Sequence, residues 1–138
     1  MLKKTVKYTD FNGIERTEDF YFNLTKAEIA EMEMSVTGGY TEWVRKILSA
    51  NDVPTLATIF KDMVMRSYGV RSADGRSFMK LDEDGRPLNR KFMQTAAFSD
   101  IYMELATNTD AAVAFMNGIV PKELADEMKK HPEFMTTN

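Results

Sequence analysis

The one histidine in the chain, His131, stands beside Pro132, and no cysteine occurs anywhere. Nucleophilic catalysis needs a nucleophile, a base beside it and a third group that orients the base. With one histidine and no thiol, a Ser-His-Asp arrangement has a single foothold and a Cys-His pair has none. His131 reads as a cation at a helix end. Asp100 and Glu104 lie one helical turn apart, a spacing that any solvated helix face produces, so they are assigned no general acid or base role. The run Asp82-Glu83-Asp84-Gly85 invites a calcium reading. A calcium loop of the helix-loop-helix type places glycine sixth and a bidentate glutamate twelfth, whereas here glycine comes fourth and no glutamate follows in range. That run reads as a solvated turn. Gly38-Gly39 lacks the Gly-Lys-Ser/Thr of a phosphate loop, and no G-x-G-x-x-G occurs. No catalytic residue, cofactor site or metal site is expected.

Positive charge gathers in one place. Residues 66–91 carry Arg66, Arg71, Arg76, Lys80, Arg86, Arg90 and Lys91 against four acids, in a chain whose net charge is -3. With Phe78 and Phe92 nearby, Arg71, Arg76 and Arg86 are candidate contacts to a nucleic acid or a protein partner. Interleaved acids and the lack of a stacking motif favour a solvated or partner-docking loop, so nucleic acid is the weaker alternative.

The elements that would position these groups follow from periodicity. At 138 residues with 43% hydrophobic composition the chain fits one soluble domain needing no disulfide or metal. No apolar run of membrane-spanning or signal-peptide length is present, and the missing cysteine fits a reducing compartment. Eleven methionines suit plastic core packing, and adaptable binding surface as the alternative. Val6 and Tyr8, then Phe20, Phe22 and Leu24, alternate at strand spacing around Asn12-Gly13, whose positive-φ residues close a tight antiparallel hairpin. Thr25 and Glu28 have capping-box spacing, which starts a helix. Gly38-Gly39 breaks the chain before Trp43 and Ile47 resume helical spacing, with Trp43 read as a core anchor. Asp52 and Pro54 open the strongest helix, and Gly69 is read as its stop. Residues 69–91 read as a long basic loop with an extended piece at 77–81. Phe98, Ile101, Tyr102 and Leu105 mark another helix. Asp110 is read as the N-cap and Gly118 as the stop of a short one carrying Phe115 and Met116, and Pro121 opens a last helix.

The expected architecture is therefore α+β and mostly α-helical, with an N-terminal antiparallel hairpin followed by about five helices. Residues 1–120 form a single globular domain, the hairpin at about 2–24 and helices at about 25–118. Residues 121–138 form a C-terminal helix and frayed tail.

Three segments together, "YTDFNGIERTEDFYFNLTKAEIAEME", "GVRSADGRSFMK" and "FMQTAAFSDIYMELATNTDAAVAFMNGIVP", resemble the tail assembly chaperones of long-tailed, siphovirus-type bacteriophages of Gram-positive bacteria. The similarity covers roughly Tyr8 to Pro121 and falls in the same order. It implies a non-enzymatic factor that coats the long, largely helical tape measure protein, keeps it soluble and helps recruit tail tube subunits. Such proteins work in the host bacterial cytoplasm and are absent from the mature virion; a longer frameshifted form is common among them. Partners implied are the tape measure protein, the tail tube protein and a second copy of the chain, and no membrane. Candidate partner-binding residues are Phe115, Met116 and Ile119, with Phe92 and Met93 at the entry to their segment, all of them also good core residues. A phage nucleic-acid-binding or regulatory protein using residues 66–91, and a structural tail component, stand as alternatives.

Overall fold

The computed structural model describes residues 1–120. Its order is β1 (Leu2–Thr9), β2 (Glu15–Phe22), α1 (Lys26–Met34), α2 (Tyr40–Ser49), α3 (Val53–Ser67), β3 (Tyr68–Arg71), β4 (Phe78–Met79), α4 (Asn89–Phe92), α5 (Ala96–Thr107) and α6 (Thr109–Ile119). Half of the described residues are helical, and the four strands form one antiparallel sheet in the order β1-β2-β3-β4. The α+β reading holds. Residues 69–91, expected as a long loop with an extended piece at 77–81, do carry β4 within that piece, and they also contribute most of β3 and the start of the one-turn helix α4. His131, Pro121 and the C-terminal helix expected after it lie outside the described residues.

The hairpin forms because its alternation gives one greasy face and one wet one. Leu2 stands opposite Phe22, Lys4 opposite Phe20 and Val6 opposite Glu18. Val6, Phe20 and Phe22 are buried, while Lys3, Thr5 and Lys7 face solvent. On that wet face the Thr5 hydroxyl donates to Asp19 at 2.6 Å and the Lys3 ammonium lies 3.7 Å from the same carboxylate. β1 is an edge strand, and Lys3 and Lys7 along it oppose pairing with the same edge of a second copy.

The hairpin turn departs from expectation. Of Asn12 and Gly13 only Gly13 takes a positive φ, +79°. Asp10 N–H donates to the Ile14 carbonyl at 2.9 Å, and the Asp10 carboxylate accepts from the Asn12 and Ile14 N–H groups. This is a three-residue turn with a left-handed glycine, not the two-residue turn that needs two positive-φ residues. The same device recurs at residues 82–86. There Asp82 N–H donates to the Arg86 carbonyl at 2.8 Å, and the Asp82 carboxylate accepts from the Asp84 and Arg86 N–H groups.

Helix starts follow the local signals. Thr25 and Glu28 close a capping box on α1, and Asp52 caps α3 through the Thr55 N–H at 3.3 Å. Two glycine readings are overturned. Gly69 does not end α3; it lies buried in β3, where an added Cβ would sit 2.5 Å from the Phe78 ring and 2.8 Å from the Met79 carbonyl. Gly118 is inside α6, with Leu2 packed against the space a side chain would need. The N-cap of α6 is Asn108, whose side chain accepts from Ala111 N–H at 3.0 Å, and Asp110 falls in the first turn. In both cases tertiary contact overrides the local stop signal.

The sheet's buried face meets α3, α5 and α6, and two backbone bonds fasten the assembly: Asn23 N–H to the Ser67 carbonyl and Leu24 N–H to the Ile119 carbonyl, both 2.7 Å. Gly69→Ala should lower stability by about 1–3 kcal/mol, because the methyl has to displace either a ring or a backbone carbonyl. Urea unfolding measures this; an unchanged midpoint would mean that β4 shifts freely.

Candidate interaction surfaces

Phe92 reaches the interior on α4, and its ring is the meeting point of four elements. It stacks on Tyr68 at 4.0 Å between centroids with an interplanar angle of 2°. Phe20 stands 5.4 Å away, Phe98 5.5 Å and Phe22 5.9 Å, the last two edge-on. Phe22 in turn meets Phe115 edge-on at 5.2 Å. Edge-to-face rings at these distances add attraction beyond burial, because the positive rim of one ring faces the negative face of the next.

This placement decides how the apolar candidates can act. Phe92, Phe115 and Ile119 are 3%, 2% and 0% exposed, so in this conformation they form core, not partner surface. Met116 is half-buried against that core. Met93, next to Phe92 but past the end of α4, is exposed. The five candidates thus do not form one face.

The cations divide similarly. Lys80, read from sequence as part of the basic loop, donates to three acceptors: the Glu28 carboxylate at 2.6 Å, the Arg66 carbonyl at 2.6 Å and the Asn23 carbonyl at 2.9 Å. That uses all three ammonium hydrogens. It also places positive charge on the C-terminal turn of α3, where the helix dipole favours it. Burial alone would raise the Glu28 carboxyl; the Lys80 ammonium and the Thr25 N–H outweigh it and hold the group below its ordinary range. Arg66 pairs with Asp62 at 2.7 Å, and Arg71 lies over the Tyr21 ring, 4.7 Å from its centroid. Arg76 and Arg86 are exposed on two separate turns. Near Arg71, the strands β2 and β3 separate after two pairs and leave an open cleft of about 550 Å³, lined by Asp19, Tyr21, Arg71 and the turn after it.

The shifted groups each answer to a local partner or to burial. Asp10 is held low by its bond to Arg16, and Asp74 by the Ser72 hydroxyl. Tyr8 is raised by its bond to Glu18, and Tyr40 is pushed up to about 12, chiefly by burial and then by Asp62. Each of these shifts moves the group's titration away from neutrality. Among the described residues no group of three or more His, Cys, Asp or Glu is arranged to hold a metal, and no helix is long and apolar enough to cross a membrane. Glu104, one of the two acids set aside above, pairs with Lys4 at 3.0 Å and ties α5 to β1.

What sequence reasoning missed is the apolar surface displayed elsewhere. Phe11 at the hairpin tip is 84% exposed, Met34 77% and Val53 68%. The signal for Phe11 was available: an aromatic residue at the centre of a turn has no strand neighbour to cover it. Its turn is hydrogen-bonded: the Asp10 carboxylate, besides its two backbone bonds, accepts from Arg16 Nε at 2.6 Å.

Phe92→Ala should therefore destabilise by about 3–5 kcal/mol, the range for emptying an aromatic core site. Phe11→Ser should stay within about 0.5 kcal/mol, as for an exposed site. Denaturant melts of the two variants separate core from surface aromatics. Lys80→Met should cost about 1–2 kcal/mol at neutral pH, allowing for the pair's partial exposure. It should also flatten the acid limb. Glu28 is depressed in the folded state, so its contribution is present above the unfolded carboxyl value and is lost as pH falls through the folded one. Thermal melts from pH 7 down to pH 3 check this; parallel curves for the two proteins would refute it.

Neither the curated proteins nor the solved structures give a match to the chain. A family model described as phage tail assembly chaperone matches residues 1–137. That match takes in every element described above, from β1 to α6. The chain belongs to the phage tail assembly chaperone family.

Proposed function

We propose that this chain binds the tape measure protein of a siphovirus-type phage of Gram-positive bacteria and keeps it soluble in the host bacterial cytoplasm. In the same reading it helps recruit tail tube subunits and is absent from the mature virion. The observation that carries this is the family match over residues 1–137. The role is non-enzymatic: binding a long helical client calls for displayed apolar side chains, not for a poised acid, base or nucleophile. Phe11 on its braced turn and the exposed methionines Met34, Met93 and Met103 provide such contacts, and methionine adapts to varied partners.

A nucleic-acid role has less support. Of the seven cations at 66–91, Arg66, Arg71 and Lys80 are already engaged inside the protein, and Arg76 and Arg86 sit on different turns.

Co-expression with the tape measure protein of the same phage tests the proposal. The tape measure protein should move from the pellet to the soluble fraction and co-purify with this chain. A client equally insoluble with and without it, with no complex recovered, would sink the reading. Mass spectrometry of purified virions should find the chain absent; stoichiometric retention would make it a structural tail component instead.

A further inference from the structure

Two runs of strand edge at the hairpin pair with no strand among the described residues, and they differ in charge. Asp10 N–H bonds across the hairpin to Ile14, so the ladder sends the backbone groups of Leu2, Lys4, Val6 and Tyr8 toward β2 and those of Lys3, Thr5, Lys7 and Thr9 away from it. β1 ends the sheet, which leaves that second set open. The same alternation turns Glu15, Thr17, Asp19 and Tyr21 of β2 away from β1, but β3 pairs only with Tyr21 and Phe22. Residues 15–19 are thus a second open edge. A trough lies beside each: about 500 Å³ along β1, bordered by Asp100 and Glu104 of α5, and the cleft of about 550 Å³ by Asp19 and Tyr21.

Side chains sort the pairings these edges can make. Lys3, Thr5, Lys7, Glu15, Thr17 and Asp19 are all exposed. β1 against a second β1, antiparallel about Thr5, sets Lys3 opposite Lys7. β2 against a second β2, antiparallel about Thr17, sets Glu15 opposite Asp19. Like charges directly opposite destabilise a sheet. β1 of one copy against the open edge of β2 in another sets Lys3 opposite Asp19, Thr5 opposite Thr17 and Lys7 opposite Glu15. Each residue in those pairs turns its backbone groups toward the other strand, and opposite charges and paired threonines stabilise such a ladder. Asp19, 3.7 Å from its own Lys3, then stands between two ammonium groups.

We propose that copies of this chain join head to tail, β1 of one pairing antiparallel with residues 15–19 of the next. A contact between two different edges leaves one of each kind open on the pair, so it continues into a ring or a linear array. The proposal concerns the chain by itself and does not depend on the identity of its client.

Sedimentation of the full chain over a concentration series should show its mass growing past the dimer. Lys3→Glu with Lys7→Glu makes both edges acidic, and Glu15→Lys with Asp19→Lys makes both basic. Each double variant alone should lose the growth, with the far-UV circular dichroism of the folded protein. Mixed in equal amounts the two should regain it, because every open edge again meets its opposite. Single cysteines in this cysteine-free chain give a reading that does not depend on how the charge variants fold. When Thr5→Cys and Thr17→Cys chains are mixed and oxidised, the disulfide between unlike chains should form severalfold above the random ratio. A native chain that stays monomeric to its solubility limit would overturn the proposal. So would growth that stops at a dimer, folded variants that associate no better mixed than apart, or unlike disulfides at or below the random ratio. Association that appears only when a tape measure fragment is added would assign the edges to the client and equally overturn the proposal.

Discussion

Phe92 is the point on which the packing turns. Its ring contacts the second strand through Phe20 and Phe22, the end of the long helix through Tyr68, and the following helix through Phe98. The four-residue α4 has no side-chain cap and is too short to stand alone, so it depends on tertiary contacts: the burial of that ring and the bond from the Asn89 amide to the Met65 carbonyl. Leu88 N–H bonds to the Lys80 carbonyl before α4, and the Thr95 hydroxyl bonds to the Phe92 carbonyl after it. Both ends of the segment are thereby tied to neighbours, and the ring has little freedom to leave. A side chain that fills such a junction cannot also serve as a surface contact without opening the core.

The elements legible from sequence are those whose cause is local. A capping box, an Asp-Pro helix start and a two-residue alternation each involve neighbours within one turn or one pleat, and Thr25, Asp52 and the Phe20/Phe22 face behave as their spacing demands. The elements that were not legible depend on partners far along the chain. Gly69 looks like a helix stop until Phe78 lies over it, and Gly118 looks like one until Leu2 does. Lys80 resembles every other cation of its segment, and only the convergence of Asn23, Glu28 and Arg66 sets it apart. The same holds for the candidate surface. Phe115 and Ile119 carry the right chemistry for a partner contact, and side-chain chemistry does not say which side of the core boundary they occupy.

Several charges in this protein fix its shape. Asp10 and Asp82 each fold their own backbone into a turn, and Lys80 joins three segments. Lys4 and Glu104 bridge strand to helix.

The bond from Leu24 to Ile119 joins residues far apart in the chain, so it closes only after α6 has been made. The greasy side of the hairpin is translated before α5 and α6, which cover it. During synthesis Phe20 and Phe22 therefore wait, uncovered, until almost the whole described chain has left the ribosome. Contacts that join the two ends of a sequence are slow to close and leave nascent intermediates sticky. Until that closure the lysines along β1, made together with the hairpin, oppose like-to-like pairing at its open edge.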